Sequence, residues 1–129
     1  MAGLYYEEFS VGQIFEHPIR RTVTETDNVL FTAMTHNPAR LHLDEEYMKN
    51  ETDFGARIVN SMFTLALMVG VTVHETTLGT TVANLGMDDV RFPKPVFQAL
   101  KFSSTGIGHI NFFLEGNFNN QLTTLRLTA

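Results

Sequence analysis

A chain of 129 residues suits one domain with one core, and 43% hydrophobic against 18% charged residues is a globular balance, not a disordered one. A formal net charge of −5 argues against an extended nucleic-acid surface, although Arg40, Arg57, Arg91, Lys94 and Lys101 can serve an anionic ligand locally. The absence of Cys excludes disulfides, thiolate metal sites and a cysteine nucleophile, and it fits a cytoplasmic location. Met1 to Ser10 has neither a basic start nor an apolar stretch, so no signal peptide is read there.

Tyr5 to Gly12 reads as a leading loop. Gln13 to Thr24 has β character in Ile14, Phe15, Ile19 and Val23, and Pro18 restricts it to an edge or a bend. Thr24 then predicts the N-cap of a helix to about Met34, with Asp27 at the capping-box position and Val29, Leu30, Phe31 and Met34 toward the core. Pro38 disfavours helix at Asn37, so Met34 to Asp44 is a Pro-containing turn that places His42 near the surface. Asp44 to Asn50 predicts a short acidic surface helix.

After Phe54-Gly55 comes the strongest element, a helix over Arg57 to Val73. Ile58, Val59, Met62, Phe63, Leu65, Ala66, Leu67, Met68 and Val69 cover nearly its whole circumference, so other structure must enclose it. Its most apolar part, Met62 to Val73, is too short for a membrane span. From Thr80 the pattern turns strand-like. Thr80 to Phe92 is β-rich, Pro93 and Pro95 bracket a turn, and Val96, Leu100 and Phe102 alternate with more exposed positions. Ile110, Phe112 and Leu114 form another alternating run, Asn119-Asn120 a turn, and Leu125 and Leu127 one face of a last strand. The sum is α+β: a long central helix wrapped by a curled antiparallel sheet, in a single domain over residues 1–129.

Imidazole is the side chain best suited to proton transfer near neutral pH, and His42 lies in the one polar cluster that looks like chemistry. From spacing alone, a helix-ending turn with a surface histidine is the favoured explanation. His36 reads as a solvent-facing helix end, and His17, His74 and His109 as isolated structural or exposed positions. Asp88-Asp89 and Asp44-Glu45-Glu46 lack paired ligand spacing, so no metal or other cofactor is expected. No Gly-rich phosphate loop or serine nucleophile elbow is present.

The helix-after-loop arrangement resembles the hot-dog fold, and the residues resemble the MaoC-like dehydratases, or (R)-specific enoyl-CoA hydratases. That family's loop reads Asp-x-Asn-Pro-Leu-His-x-Asp. Here Asn37-Pro38-Ala39-Arg40-Leu41-His42-Leu43-Asp44 matches at Leu41, His42 and Asp44. Asn37 replaces the family's catalytic Asp, and Ala39-Arg40 its Asn-Pro pair. Phe54 to Met62 resembles the start of the family's central helix, with Asn60-Ser61 where His-Gly is usual, and Asp89 to Phe97 resembles its next strand and turn. Phe9 to Gln13, Phe15 to Asn28, Thr35-His36-Asn37 and Asn60-Ser61 are similar to the mesaconyl-CoA hydratase-like branch. The resemblance runs from about Tyr6 to Phe97. It weakens at Gln98-Ala99-Leu100-Lys101, where the family usually has Gly-Asp-Thr-Leu, a departure that a lost segment or a shifted reading frame would produce.

The resemblance implies a lyase that adds or removes water on a short branched or dicarboxylic enoyl-CoA. His42 is then the proton-transfer group and Asn37 the residue that orients the water. The substrate side falls to Asn60, Ser61 and Met62 at the helix start, with Arg91 and Lys94 for CoA phosphates. The implied partners are an acyl-CoA thioester and a second copy in a homodimer, with no nucleic acid and no membrane. The alternative is a non-catalytic hot-dog module that binds acyl-CoA or serves as a subunit. A thioesterase on the same fold is less favoured, because no carboxylate on the central helix suits that work.

Overall fold

The computed structural model describes residues 3–10, 13, 15, 17–19, 21–87, 90–92, 94–98 and 101–102. The predicted strands at Ile110 to Leu114 and Leu125 to Leu127, the Asn119-Asn120 turn, and His109 lie outside them. The backbone groups into two compact units, each built from segments distant in sequence. Among the described residues, one contains those within 20–69 and 94–102, and the other those within 3–19 and 70–92.

The unit holding residues 20–69 begins with β1 (Arg21–Thr22), followed by α1 (Glu25–Met34). The capping box forms as its spacing requires: Asp27 N–H donates to Thr24 Oγ1 at 3.2 Å, and Asp27 Oδ2 accepts from Thr24 N–H at 2.8 Å. His36 ends the helix with φ 54, the left-handed conformation that usually falls to glycine, and its side chain is exposed. Two short helices follow, α2 (Arg40–Leu43) and α3 (Glu45–Glu51). Asp44 caps α3 by accepting from Tyr47 N–H at 2.9 Å.

These two capping carboxylates predict acid sensitivity. Backbone hydrogen bonds, from Thr24 to Asp27 and from Tyr47 to Asp44, hold both below the ordinary carboxylate range. A pKa depressed by folding stabilises the fold above the unfolded value and is lost as pH falls through the folded one. Melting temperature should therefore fall as pH drops below about 4, and Asp44→Asn should flatten that dependence while keeping an acceptor at the cap. An unchanged acid limb in Asp44→Asn would remove Asp44 from this account.

The long helix, α4, spans Ser61–Thr76, so it begins four residues later than predicted. Ile58 instead makes an antiparallel bridge with Phe97, and Val59 N–H donates to Val96 O at 2.7 Å. These β-tolerant residues fit either state, and the strand partner at Val96-Phe97 decides it. Arg57, with its side chain only 11% exposed, pairs with Glu25 of α1 and Glu45 of α3, which straps this segment to both helices. β1 pairs antiparallel with β2 (Lys101–Phe102), Arg21 opposite Phe102.

The buried apolar side chains of this unit are Val23, Met48, Val59 and Met68. Phe31 and Phe63 meet edge to face at 5.6 Å between ring centres. The face of α1 differs from expectation. Leu30 is 55% exposed and Met34 72%, whereas Asn28 and Thr32, one helical turn apart, are fully buried. The partners of Asn28, given below, account for the reversal.

In the other unit the last residues of α4 bury Thr72 and Thr76. The backbone at Gly3 and Leu4 bonds to Leu78 O and Thr76 O, each at 2.7 Å. A Cβ at position 3 would lie 2.5 Å from Leu78 N, so only glycine allows this approach. His17 is buried, stacks on Phe15 and bonds through Nδ1 to Glu75 Oε2 at 2.9 Å. The predicted strand over Thr80 to Phe92 is not formed at Thr81 to Met87, where Val82 and Leu85 are exposed. β propensity forms a strand only where a neighbour completes the ladder.

Candidate active site

His42 lies on α2, a one-turn helix that exposes Arg40 and Leu43 but turns the His42 ring inward, so that only 9% of it is exposed where a surface position was expected. Its Nδ1 is 2.9 Å from Ile58 O. A carbonyl oxygen only accepts, so Nδ1 carries the proton in the neutral ring and Nε2 keeps the lone pair. The fold thereby selects the tautomer with a base at Nε2.

Asn37 precedes α2 and is half-buried. Its Oδ1 accepts from Ala39 N–H at 2.9 Å, an Asx turn that launches the short helix, and its own N–H donates to Thr32 O at 3.1 Å. Its Nδ2 has no hydrogen-bond partner among the described residues.

Asn60, immediately before α4, is buried and serves as its cap. Oδ1 accepts from Met62 N–H at 3.0 Å, and Nδ2 lies 3.4 Å from Thr32 Oγ1. Its side chain is thus committed to structure. The N–H groups of Ser61 and Phe63 have no hydrogen-bond partner among the described residues. Such unpaired groups carry the positive end of a helix of this length. Ser61 is half-buried and Met62 is 49% exposed.

A residue that the sequence reading did not assign to the site joins these parts. Asn28 of α1 is 0% exposed. Its Nδ2 donates to His42 O at 3.1 Å and Ile58 O at 3.2 Å, and its Oδ1 accepts from Asn60 N–H at 2.8 Å. The loop of His42, the strand of Ile58 and the start of α4 therefore meet on one carboxamide.

The expected CoA contacts divide. Lys94 is exposed and belongs to the same unit as His42, whereas Arg91 is exposed and belongs to the other. Arg40 is held by Asp44 and Glu51 and lies 4.0 Å over the Tyr47 ring. Glu25 foremost, with Glu45, stabilises the charged form of the Arg57 guanidinium.

A sequence model of the MaoC-like domain matches residues 8–111. The chain belongs to the MaoC-like domain family. The match continues beyond Phe97, where the motif resemblance had weakened. Among curated relatives, the protein MaoC of Klebsiella aerogenes is 34% identical over 92 residues, covering 71% of this chain and 27% of its own. A mesaconyl-CoA hydratase of Cereibacter sphaeroides is 31% identical over 109 residues, covering 83% of this chain and 31% of its own. The chain thus spans about three tenths of the length of these relatives.

Among solved structures, an R-hydratase from Pseudomonas aeruginosa in the unliganded form superposes with a TM-score of 0.62 at 29% identity. The match covers 77% of this chain and 61% of that one. The fold of this MaoC-like chain is the hot-dog, with α4 as its long helix. No helix among the described residues is long and apolar enough to cross a membrane.

Proposed function

We propose that this MaoC-like domain hydrates and dehydrates an enoyl-CoA thioester, with His42 as the proton-transfer group. The observation that carries this reading is the hydrogen bond from His42 Nδ1 to Ile58 O, which leaves a basic Nε2 on a residue matched to the family's histidine. In the hydration direction, Nε2 takes a proton from water as the water oxygen bonds to Cβ of the enoyl group. The double-bond electrons move toward the thioester oxygen. The resulting enolate then collapses, and Cα takes the proton back from the imidazolium. One water is added across the double bond and His42 returns to its starting state.

Asn37 cannot accept a proton, and its Nδ2 orients the water oxygen. The Ser61 and Phe63 N–H groups at the start of α4 receive the charge on the thioester oxygen. Lys94, exposed in the same unit as His42, serves the CoA phosphates. The acyl group is short and branched or dicarboxylic, like mesaconyl. The likeness to a mesaconyl-CoA hydratase supports this, together with Thr35-His36-Asn37 and Asn60-Ser61. Comparing hydration of mesaconyl-CoA and crotonyl-CoA by loss of enoyl absorbance tests the assignment. Faster turnover of mesaconyl-CoA is expected, and a preference for crotonyl-CoA would overturn the acyl class.

A second reading, a non-catalytic acyl-CoA-binding module, has its own observation in its favour. Asn37 stands where the family has an acid, and its Oδ1 is engaged in an Asx turn. It predicts binding without hydration.

The domain is further proposed to act as a homodimer in the cytoplasm. Pairing two sheet edges across a symmetry axis satisfies backbone groups that an open edge exposes. Sedimentation at micromolar concentration should give twice the chain mass, and a monomer mass would exclude the dimer.

A further inference from the structure

We propose that Asn28 is a positioning residue for His42. Its buried carboxamide holds the Ile58 carbonyl at the place where that carbonyl fixes the imidazole tautomer, an inference that rests on the hydratase reading for its catalytic consequence. The Ile58 oxygen accepts from both Asn28 Nδ2 at 3.2 Å and His42 Nδ1 at 2.9 Å. The same Nδ2 reaches His42 O at 3.1 Å, so it grips the backbone of the base and the acceptor of its ring together. Through Oδ1 it also holds Asn60 N–H at 2.8 Å, immediately before the α4 groups assigned to the thioester oxygen.

A carboxamide suits this position because two donors and one acceptor must share one buried side chain. An apolar residue would leave Asn60 N–H without this acceptor in a buried setting. A carboxylate would face two carbonyl oxygens with no donor. The capping box at Thr24 and Asp27 anchors α1, so Asn28 projects from a fixed turn one residue away. It contacts His42 only through the backbone and the shared carbonyl, and need not touch substrate. Its loss should therefore act on turnover more than on substrate affinity.

The test reads the tautomer directly, by nitrogen NMR of His42 in the whole chain at a pH where imidazole is neutral, with no substrate present. The wild type should show a protonated Nδ1 and an unprotonated Nε2. Asn28→Ala and Asn28→Asp should each shift His42 toward a mixture of tautomers. Both should lower kcat by about 10–100-fold, as the loss of hydrogen-bond partners that orient metal-bound histidines does, with KM changed less than about threefold. Asn28→Ser, which retains one donor, should recover part of the tautomer preference.

Val23→Ala, which shortens a fully buried side chain of the same unit and removes none of these bonds, serves as the stability control. It should keep the wild-type tautomer while lowering the melting temperature. A mixed tautomer in the wild type would overturn the proposal, whatever the variants do. So would a folded Asn28 variant that retains the wild-type tautomer and kcat. Absence of hydration in a wild type whose tautomer is fixed would instead count against the hydratase reading and leave the positioning role intact.

Discussion

Replacing His42 with Ala should remove most hydration, by about 10²–10⁴-fold, the usual contribution of a general acid–base group. The structure adds that this variant also loses some stability. His42 is buried, and its ring donates to Ile58 O. The carbonyl keeps its bond from Asn28, so the cost should be about 1 kcal/mol for the lost hydrogen bond, plus a small cavity. His42→Asn separates the two effects. Its carboxamide nitrogen can replace Nδ1 as donor to Ile58 O but cannot shuttle a proton. Turnover should fall as far as in the Ala variant, with melting closer to wild type. A folded His42→Asn with a loss below about tenfold would place the proton transfer elsewhere.

Substitutions at Asn37 give the second large effect, in opposite directions. Asn37→Ala removes the amide assigned to the water, at about 1–3 kcal/mol in the barrier. It also removes the acceptor for Ala39 N–H at the start of α2, so His42 loses part of its support. Asn37→Asp keeps that acceptor and restores the carboxylate usual in the family. It should fold as well as wild type and raise hydration of simple enoyl-CoAs. Measuring kcat and melting temperature for both checks the assignment. Equal turnover in wild type and both variants would reduce Asn37 to its Asx turn.

What the sequence made legible was mostly local. The capping box at Thr24 and Asp27 needs only residues three positions apart, and it formed where it was read; the Asp44 cap on Tyr47 N–H is equally local but was read only as the start of an acidic helix. His42 was legible as chemistry through its motif, but its burial was not, because the carbonyl that binds its ring lies sixteen residues away at Ile58. The same distance problem displaced the start of α4. Ile58 and Val59 continue an apolar helical pattern, and only Val96 and Phe97 reveal them as extended.

Asn28 was missed because one Asn inside an amphipathic helix usually faces water. A signal did exist, since Asn28 and Thr32 are one turn apart and define a polar stripe beside Val29 and Phe31. Reading that stripe as buried requires knowing that Asn60 N–H and two carbonyls face it. The exposure of Leu30 and Met34 follows from the same choice, because a helix that buries residues 28 and 32 turns 30 and 34 away.

The central claim is that a basic Nε2 on His42 turns acyl-CoA binding into hydration. The most direct measurement follows enoyl absorbance for the wild-type chain with mesaconyl-CoA, while calorimetry titrates the same thioester onto His42→Asn. The account predicts steady hydration by the wild type and retained binding without turnover in the variant. Binding by the wild type with no loss of enoyl absorbance, there and in Asn37→Asp, would contradict it and leave an acyl-CoA-binding module.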